Sequence, residues 1–209
     1  MKKLISLALA LVLSLSLIAC GAKQDDTPQT DADTPDTTQT AEKQKLIVGF
    51  DAEFPPFGFI AADGTYDGFD LAMAEELCSR LGWDFEAVPI VWDSKDAELA
   101  AGTINCIWNG FTYTGRENDY TWSDPYVDNS IVMVVKADSG ISSLADLAGK
   151  SVMAQATEQY AIGFLKGNTE LRDAVNAELL KMAENGTMLS IAEKYVDQGL
   201  VIDSLCLVK

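Results

Sequence analysis

From Gly21 to Lys45 the chain carries neither an aromatic nor a large aliphatic side chain. A stretch so rich in Thr, Asp, Gln and Pro cannot bury enough apolar surface to offset the entropy of ordering it. It reads as a solvated leash, and it confines the foldable part of the chain to residues 46–209. That length suits one domain with a real core, or a pair of small lobes.

Ahead of the leash, Lys2 and Lys3 precede an apolar run from Leu4 to Ile18 whose only polar members are Ser6, Ser14 and Ser16. A charged start, an apolar middle and a small residue before Cys20 are the parts of an export signal, here residues 1–19. The run is shorter than the roughly 20 residues needed to cross the hydrocarbon core. Leu17-Ile18-Ala19-Cys20-Gly21 resembles the bacterial lipobox, which implies lipid on the Cys20 sulfur and makes residues 20–45 a lipidated cysteine with its tether.

The formal charge of −17 argues against nucleic acid and against docking on anionic lipid heads, since a polyanion is repelled by both. The membrane is then reached through the lipid anchor only. No histidine occurs anywhere, which removes the commonest general base, the Ser-His and Cys-His pairs and the usual zinc ligand. No catalytic residue, metal or cofactor is expected. Cys78, Cys106 and Cys206 remain after lipidation, an odd number without metal-ligand spacing. One disulfide among them and buried free thiols both stay open.

Lys45 to Asp51 is a short apolar run that predicts a buried strand, followed by a Pro-Pro turn and a loop at Asp63-Gly64. From Phe69 the positions Leu71, Ala74, Cys78 and Leu81 recur at helical spacing, with Gly82 as the stop. Phe85–Val91 predicts a strand, Ser94–Ala101 a short helix capped by Ser94 and ended by Gly102, and Ile104–Trp108 a third strand. Further strands are expected at Ile131–Val135, Lys150–Gln155 and Tyr160–Phe164, with a helical turn at Leu144–Ala148. Asn168 or Thr169 should cap a helix striped by Leu171, Val175, Leu179 and Met182, and a last helix runs from Thr187 to about Val196. Strands alternating with helices imply an α/β fold with a mainly parallel sheet.

Ligands in such sheets gather outside the carboxyl ends of strands. Two loops there concentrate the unusual chemistry, Asp51–Phe57 and Trp108–Arg116. Arg116, one of three arginines, follows two threonines and two glycines and can grip a carboxylate in bidentate fashion. A solvent-exposed arginine paired with Glu117 or Asp119 is the alternative. Gly110 lets backbone amides approach a ligand, and Thr112 adds a hydroxyl donor. Phe54, Phe57, Trp108 and Phe111 either present flat faces to a ligand or are simple core.

The runs Leu46–Phe57, Tyr66-Asp-Gly-Phe-Asp-Leu-Ala72, Asn109-Gly-Phe-Thr-Tyr-Thr114 with Arg116, Trp122-Ser-Asp-Pro-Tyr126, Asp146-Leu-Ala-Gly-Lys150 and Tyr160-Ala-Ile-Gly-Phe164 with Gly167–Leu171 together resemble the family 3 extracellular solute-binding proteins. The resemblance implies a type II periplasmic-binding fold, two α/β lobes closing on a polar amino acid delivered to ABC transporter permease subunits. It implies an extracytoplasmic place, lipid-anchored to the cell membrane. It also implies that Arg116 holds the ligand α-carboxylate with help from Gly110 and Thr112, although Arg116 stands two residues after Thr114 where many members place it three after. Asp51 and Phe54 match positions that touch the ligand side chain, and Trp108, Asn109 and Phe111 complete the expected binding set.

One lobe is complete on this reading, built from residues 46–136 and 160–209, whereas residues 137–159 are too few for a second core. Thr157 is the one remnant of the missing wall's carboxylate contacts, and no residue stands out as partner for the ligand ammonium. A cleft with one wall is expected to bind weakly or not at all. The competing functions are an interaction module that docks on the permease without cargo, and a dehydratase-like enzyme of the same superfamily, with Glu53 its nearest carboxylate.

Overall fold

The computed structural model describes residues 43–129, 135–151 and 157–208. In chain order the strands are β1 (Lys45–Phe50), β2 (Glu53–Phe54), β3 (Gly58–Ile60), β4 (Tyr66–Asp67), β5 (Asp84–Pro89), β6 (Cys106–Ile107), β7 (Thr121–Trp122), β8 (Val127–Asn129), β9 (Glu158–Tyr160) and β10 (Gly163–Phe164). The helices are α1 (Phe69–Leu81), α2 (Lys95–Ala101), α3 (Thr169–Glu184) and α4 (Thr187–Ala192).

β1 lies inside a five-stranded sheet of order β5-β1-β6-β10-β7. It pairs in parallel with β5 and β6, which is why its apolar run is continuous rather than alternating. Leu46, Val48 and Phe50 face the larger core with α1, α3 and α4, while Ile47 meets the smaller core of Leu99, Ile104, Ile107, Phe111, Trp122 and Ala161. Burying each of these large side chains contributes on the order of 1.5–3 kcal/mol. Helix α1 keeps Phe69, Leu71, Met73, Ala74, Leu77 and Cys78 buried at helical spacing. It ends where Gly82 adopts φ 68°, a left-handed conformation that glycine takes without a Cβ penalty.

The far half of the sheet departs from expectation. β10 runs antiparallel to both β6 and β7, and it follows directly on β9, which is itself antiparallel to β8. The strand expected at Tyr160–Phe164 is split: β9 pairs with β8 in a separate ladder, and only Gly163 and Phe164 enter the main sheet. Strand β6 is shorter than the predicted Ile104–Trp108. Ser94 does not cap α2; its hydroxyl donates to the Val91 carbonyl instead. The Pro-Pro turn sits within a three-stranded meander, β2-β3-β4, that local alternation did not announce.

Asn168 caps α3, its side chain accepting from Leu171 N, and Val175, Leu179 and Met182 are buried with Leu171 half-buried. The turn at Leu144–Leu147 is 3-10, closed by a reciprocal Ser143–Asp146 capping box. Cys78, Cys106 and Cys206 are free thiols. Most of the strands expected at Ile131–Val135 and Lys150–Gln155 lies outside the described residues, as do the export signal and residues 21–42 of the leash, whereas Lys45, expected in the leash, already opens β1. Among the described residues no helix is long and apolar enough to cross a membrane.

Candidate functional site

Beyond the carboxyl ends of β1 and β6 lies a cleft of about 380 Å³. Asp51 and Phe54 reach it from the turn after β1, and Asn109, Gly110, Phe111, Thr112 and Arg116 from the loop after β6. Seven of the eight expected side chains or backbones are thus brought together by the two parallel strands. The eighth, Trp108, is fully buried and absent from the lining; its ring meets Tyr126 edge-on at 6.2 Å between centroids. For Trp108 the core reading holds. Thr157 is exposed and also outside the cleft.

Arg116 is held by its own backbone. Its N–H donates to the Tyr113 carbonyl, and its carbonyl accepts from Asp119 N–H and from the Trp122 indole. The guanidinium donates to the Thr112 carbonyl at 3.1 Å and lies over the Phe111 ring, 5.5 Å from its centroid. No ion pair with Glu117 or Asp119 forms among the described residues, and the side chain stays exposed to the cleft. Stacking on a flat ring and one anchoring bond leave further guanidinium N–H donors for a planar anion.

Two expected donors point elsewhere. Gly110 does adopt φ 54°, a conformation that strains other residues, and a Cβ there would lie 2.9 Å from Phe54 Cε1 and push on that ring. Its N–H, however, donates inward to Asp70 Oδ2 at 2.6 Å and not into the cleft. The Thr112 hydroxyl donates to Glu158 Oε2 at 3.0 Å.

Among the described residues Asp70 is the least exposed charged one, on the buried face of α1. Besides Gly110 N–H it accepts the Tyr126 hydroxyl at 2.7 Å. Burial pushes its carboxyl up to about 7, against the opposing pull of Tyr126, Gly110 N–H and the nearby Trp108 indole, which closes no hydrogen bond of its own. Tyr126 is raised in turn, by burial and by the Asp70 charge.

The structure adds Trp92, Asn129, Glu158 and Tyr160 to the cleft. Strand β9 brings the last two: Tyr160 bridges to Thr112, Tyr113 N–H donates to the Gln159 carbonyl, and Gln159 N–H donates to Thr114 Oγ1. Tyr160 also meets Phe57 edge-on at 5.2 Å, and Phe57 stacks on Phe54 at 5.7 Å. Trp92 opens the 3-10 turn Trp92–Ser94 just ahead of α2; nothing local pointed to Trp92 or to Glu158 as cleft residues. Among the described residues no cluster of three or more Cys, Asp or Glu side chains is placed to hold a metal.

The profile of the bacterial extracellular solute-binding proteins, family 3, matches residues 46–198. The arginine-binding extracellular protein ArtP of Bacillus subtilis is 31% identical over 156 residues, 74% of this chain and 56% of its own. The L-cystine-binding protein TcyA of the same organism is 32% identical over 164 residues, 77% of this chain and 61% of its own. The chain therefore spans little more than half the length of these relatives. A mutant of the arginine-bound form of domain 1 from TmArgBP superposes with a TM-score of 0.50 at 30% identity, covering 67% of this chain and 92% of that one.

Proposed function

The chain belongs to the bacterial extracellular solute-binding proteins, family 3, and from that premise we propose that it is the substrate-binding component of an ABC importer for polar amino acids. The observation that carries this reading is the exposed Arg116 guanidinium, fixed over Phe111 at the mouth of the cleft. An amino acid's α-carboxylate is the planar anion such a group takes, in a bidentate pair.

In this reading residues 46–136 and 160–209 form the complete first lobe and residues 137–159 a remnant of the second. A single lobe is a sufficient platform for ligand, a view supported by the arginine-bound domain 1 that resembles this chain. Affinity is lowered rather than lost, because a ligand on one wall keeps half its surface wet. The protein works outside the cytoplasm, released by cleavage before Cys20, held through lipid on that cysteine and presented to its permease by the leash of residues 21–45.

Calorimetric titration with the twenty amino acids tests the reading. Saturable binding of a polar amino acid is expected, with loss of that binding in Arg116→Ala. Absence of saturable binding to any of them overturns it.

A further inference from the structure

Three donors converge on the Asp70 carboxyl beneath the cleft. Its Oδ2 accepts the Gly110 N–H at 2.6 Å and the Tyr126 hydroxyl at 2.7 Å, and the Trp108 indole N–H lies close by. Such a set matches an acceptor-only group, the ionised carboxylate. Burial works the other way: Asp70 is fully buried, and its carboxyl is pushed up to about 7. The group therefore stands between its two forms near neutral pH. Among the described residues, the buried side-chain polar atoms without a hydrogen bond are Asp70 Oδ1, Trp108 Nε1 and Asn109 Oδ1. They belong to Asp70 and to the two residues just ahead of Gly110, so the unpaired polarity is gathered under the start of the binding loop.

A proton on Asp70 changes this pattern. The neutral carboxyl holds Gly110 less strongly than the charged one, and its new O–H is a further donor among donors. The unmatched acceptor on the loop is Asn109 Oδ1. Farther on, the loop is tied to the β9 segment by backbone, with Ala161 N–H donating to the Phe111 carbonyl and Tyr113 N–H to the Gln159 carbonyl. Its opening is tied through Asp70. Asn109, Gly110, Phe111 and Thr112 all line the cleft, and a loop fixed before ligand arrives costs less to order on binding. The titratable groups facing Asp70 are Tyr126 from the segment entering β8 and Tyr160 from β9, both phenols raised by burial. From the loop it meets Gly110 N–H and the Trp108 indole, and from the β2-β3-β4 meander the Phe57 carbonyl, which accepts its own N–H.

Resting on the amino-acid-binding reading, we infer that Asp70 is a positioning residue: ionised, it holds Asn109–Thr112 in the binding arrangement, and on protonation it releases that loop and lowers the affinity of the cleft. Ligand is held above neutral pH and let go in acid. The chain has no histidine, the one side chain that ordinarily titrates between about pH 5 and 8, so a transition in that window reports on Asp70.

Two measurements on the whole exported chain, from about pH 5 to 8.5, test this. In proton–nitrogen NMR spectra the Gly110 amide and the Trp108 indole N–H should shift together with one midpoint near 7, and Asp70→Asn should flatten both. In calorimetry the probe is whichever of the twenty amino acids binds most tightly at the upper pH, histidine and cysteine set aside because they titrate in this range. Its affinity should fall about tenfold toward the lower pH, the difference between a charged and a neutral hydrogen bond, and Asp70→Asn should hold one affinity throughout. Tyr126→Phe removes a donor that favours the carboxylate and should raise the midpoint by about one pH unit in both measurements, which a purely structural role would not do. Should Asp70→Asn fail to fold, that shift carries the assignment. A Gly110 amide without a transition overturns the inference. So does an affinity that is flat or rises in acid, or a midpoint that Tyr126→Phe leaves unmoved. Failure of every amino acid to bind overturns the amino-acid reading, while the spectra still decide whether Asp70 sets the loop.

Discussion

Asp70 accepts the Gly110 amide at 2.6 Å from beneath the binding loop, across 40 residues of chain. The same oxygen accepts the Tyr126 hydroxyl, so one buried carboxylate ties α1, the loop after β6 and the segment entering β8. A group in that position holds Asn109–Thr112 from the side facing α1, and it is absent from the cleft lining. Asn109 itself is nearly buried, its Oδ1 close to the backbone of Gly58.

The raised Asp70 carboxyl makes stability depend on pH. In the unfolded chain it ionises near 3.8, in the folded one near 7, so between those values the folded state binds more protons. Its contribution is full below about pH 4, is lost as pH rises to about 7 and is flat above, at up to ~1.4 kcal/mol per pH unit. Asp70→Asn should remove that component. Urea melts of both proteins from pH 4 to 8 check it, and parallel pH profiles would refute it.

Gly68 precedes α1 with φ 139°, and a Cβ there would stand 2.2 Å from the Phe57 carbonyl oxygen. Backbone cannot give way as a side-chain tip can. Gly68→Ala should therefore cost about 3 kcal/mol or more, from strain and overlap together. A thermal melt reads it, and a midpoint within 2 °C or so of wild type would count against the assignment.

On the proposed amino-acid-binding reading, Asp51→Asn should leave the Arg116 guanidinium in place and narrow any preference for arginine over glutamine by about tenfold, the loss of one charged partner. Competition calorimetry measures the ratio. An unchanged ratio would place the side-chain cation elsewhere in the cleft.

Cys20→Ser should remove the lipid and with it the anchor, since one polar leash has no affinity for the bilayer. Detergent phase partition of whole cells reports this: the wild type is expected in the detergent phase and the variant in the aqueous one or in the medium. Equal partition of the two would refute lipidation.

Much of the fold could be read along the chain, where the physics is local. The spacing of Leu71, Ala74 and Cys78 marks one helical face, and a glycine closes each of α1 and α2 because only it adopts the left-handed turn cheaply. The continuous run at β1 announces a strand covered on both sides. The parallel order of β5, β1 and β6 then carries Asp51 and Arg116 to one end of the sheet, so most of the expected site residues meet there.

The sequence by itself determined these elements, the family and the candidate anchor at Cys20, because periodicity, turn chemistry and signal composition act between near neighbours. Only the tertiary structure decided the wiring of the cleft. Whether the Thr112 hydroxyl faces open cleft or Glu158, 46 residues on, and whether the Gly110 amide faces ligand or Asp70, depends on which distant carboxylate the packed chain delivers. Donors satisfy the acceptor that burial places beside them, and that placement is a sum over the whole core.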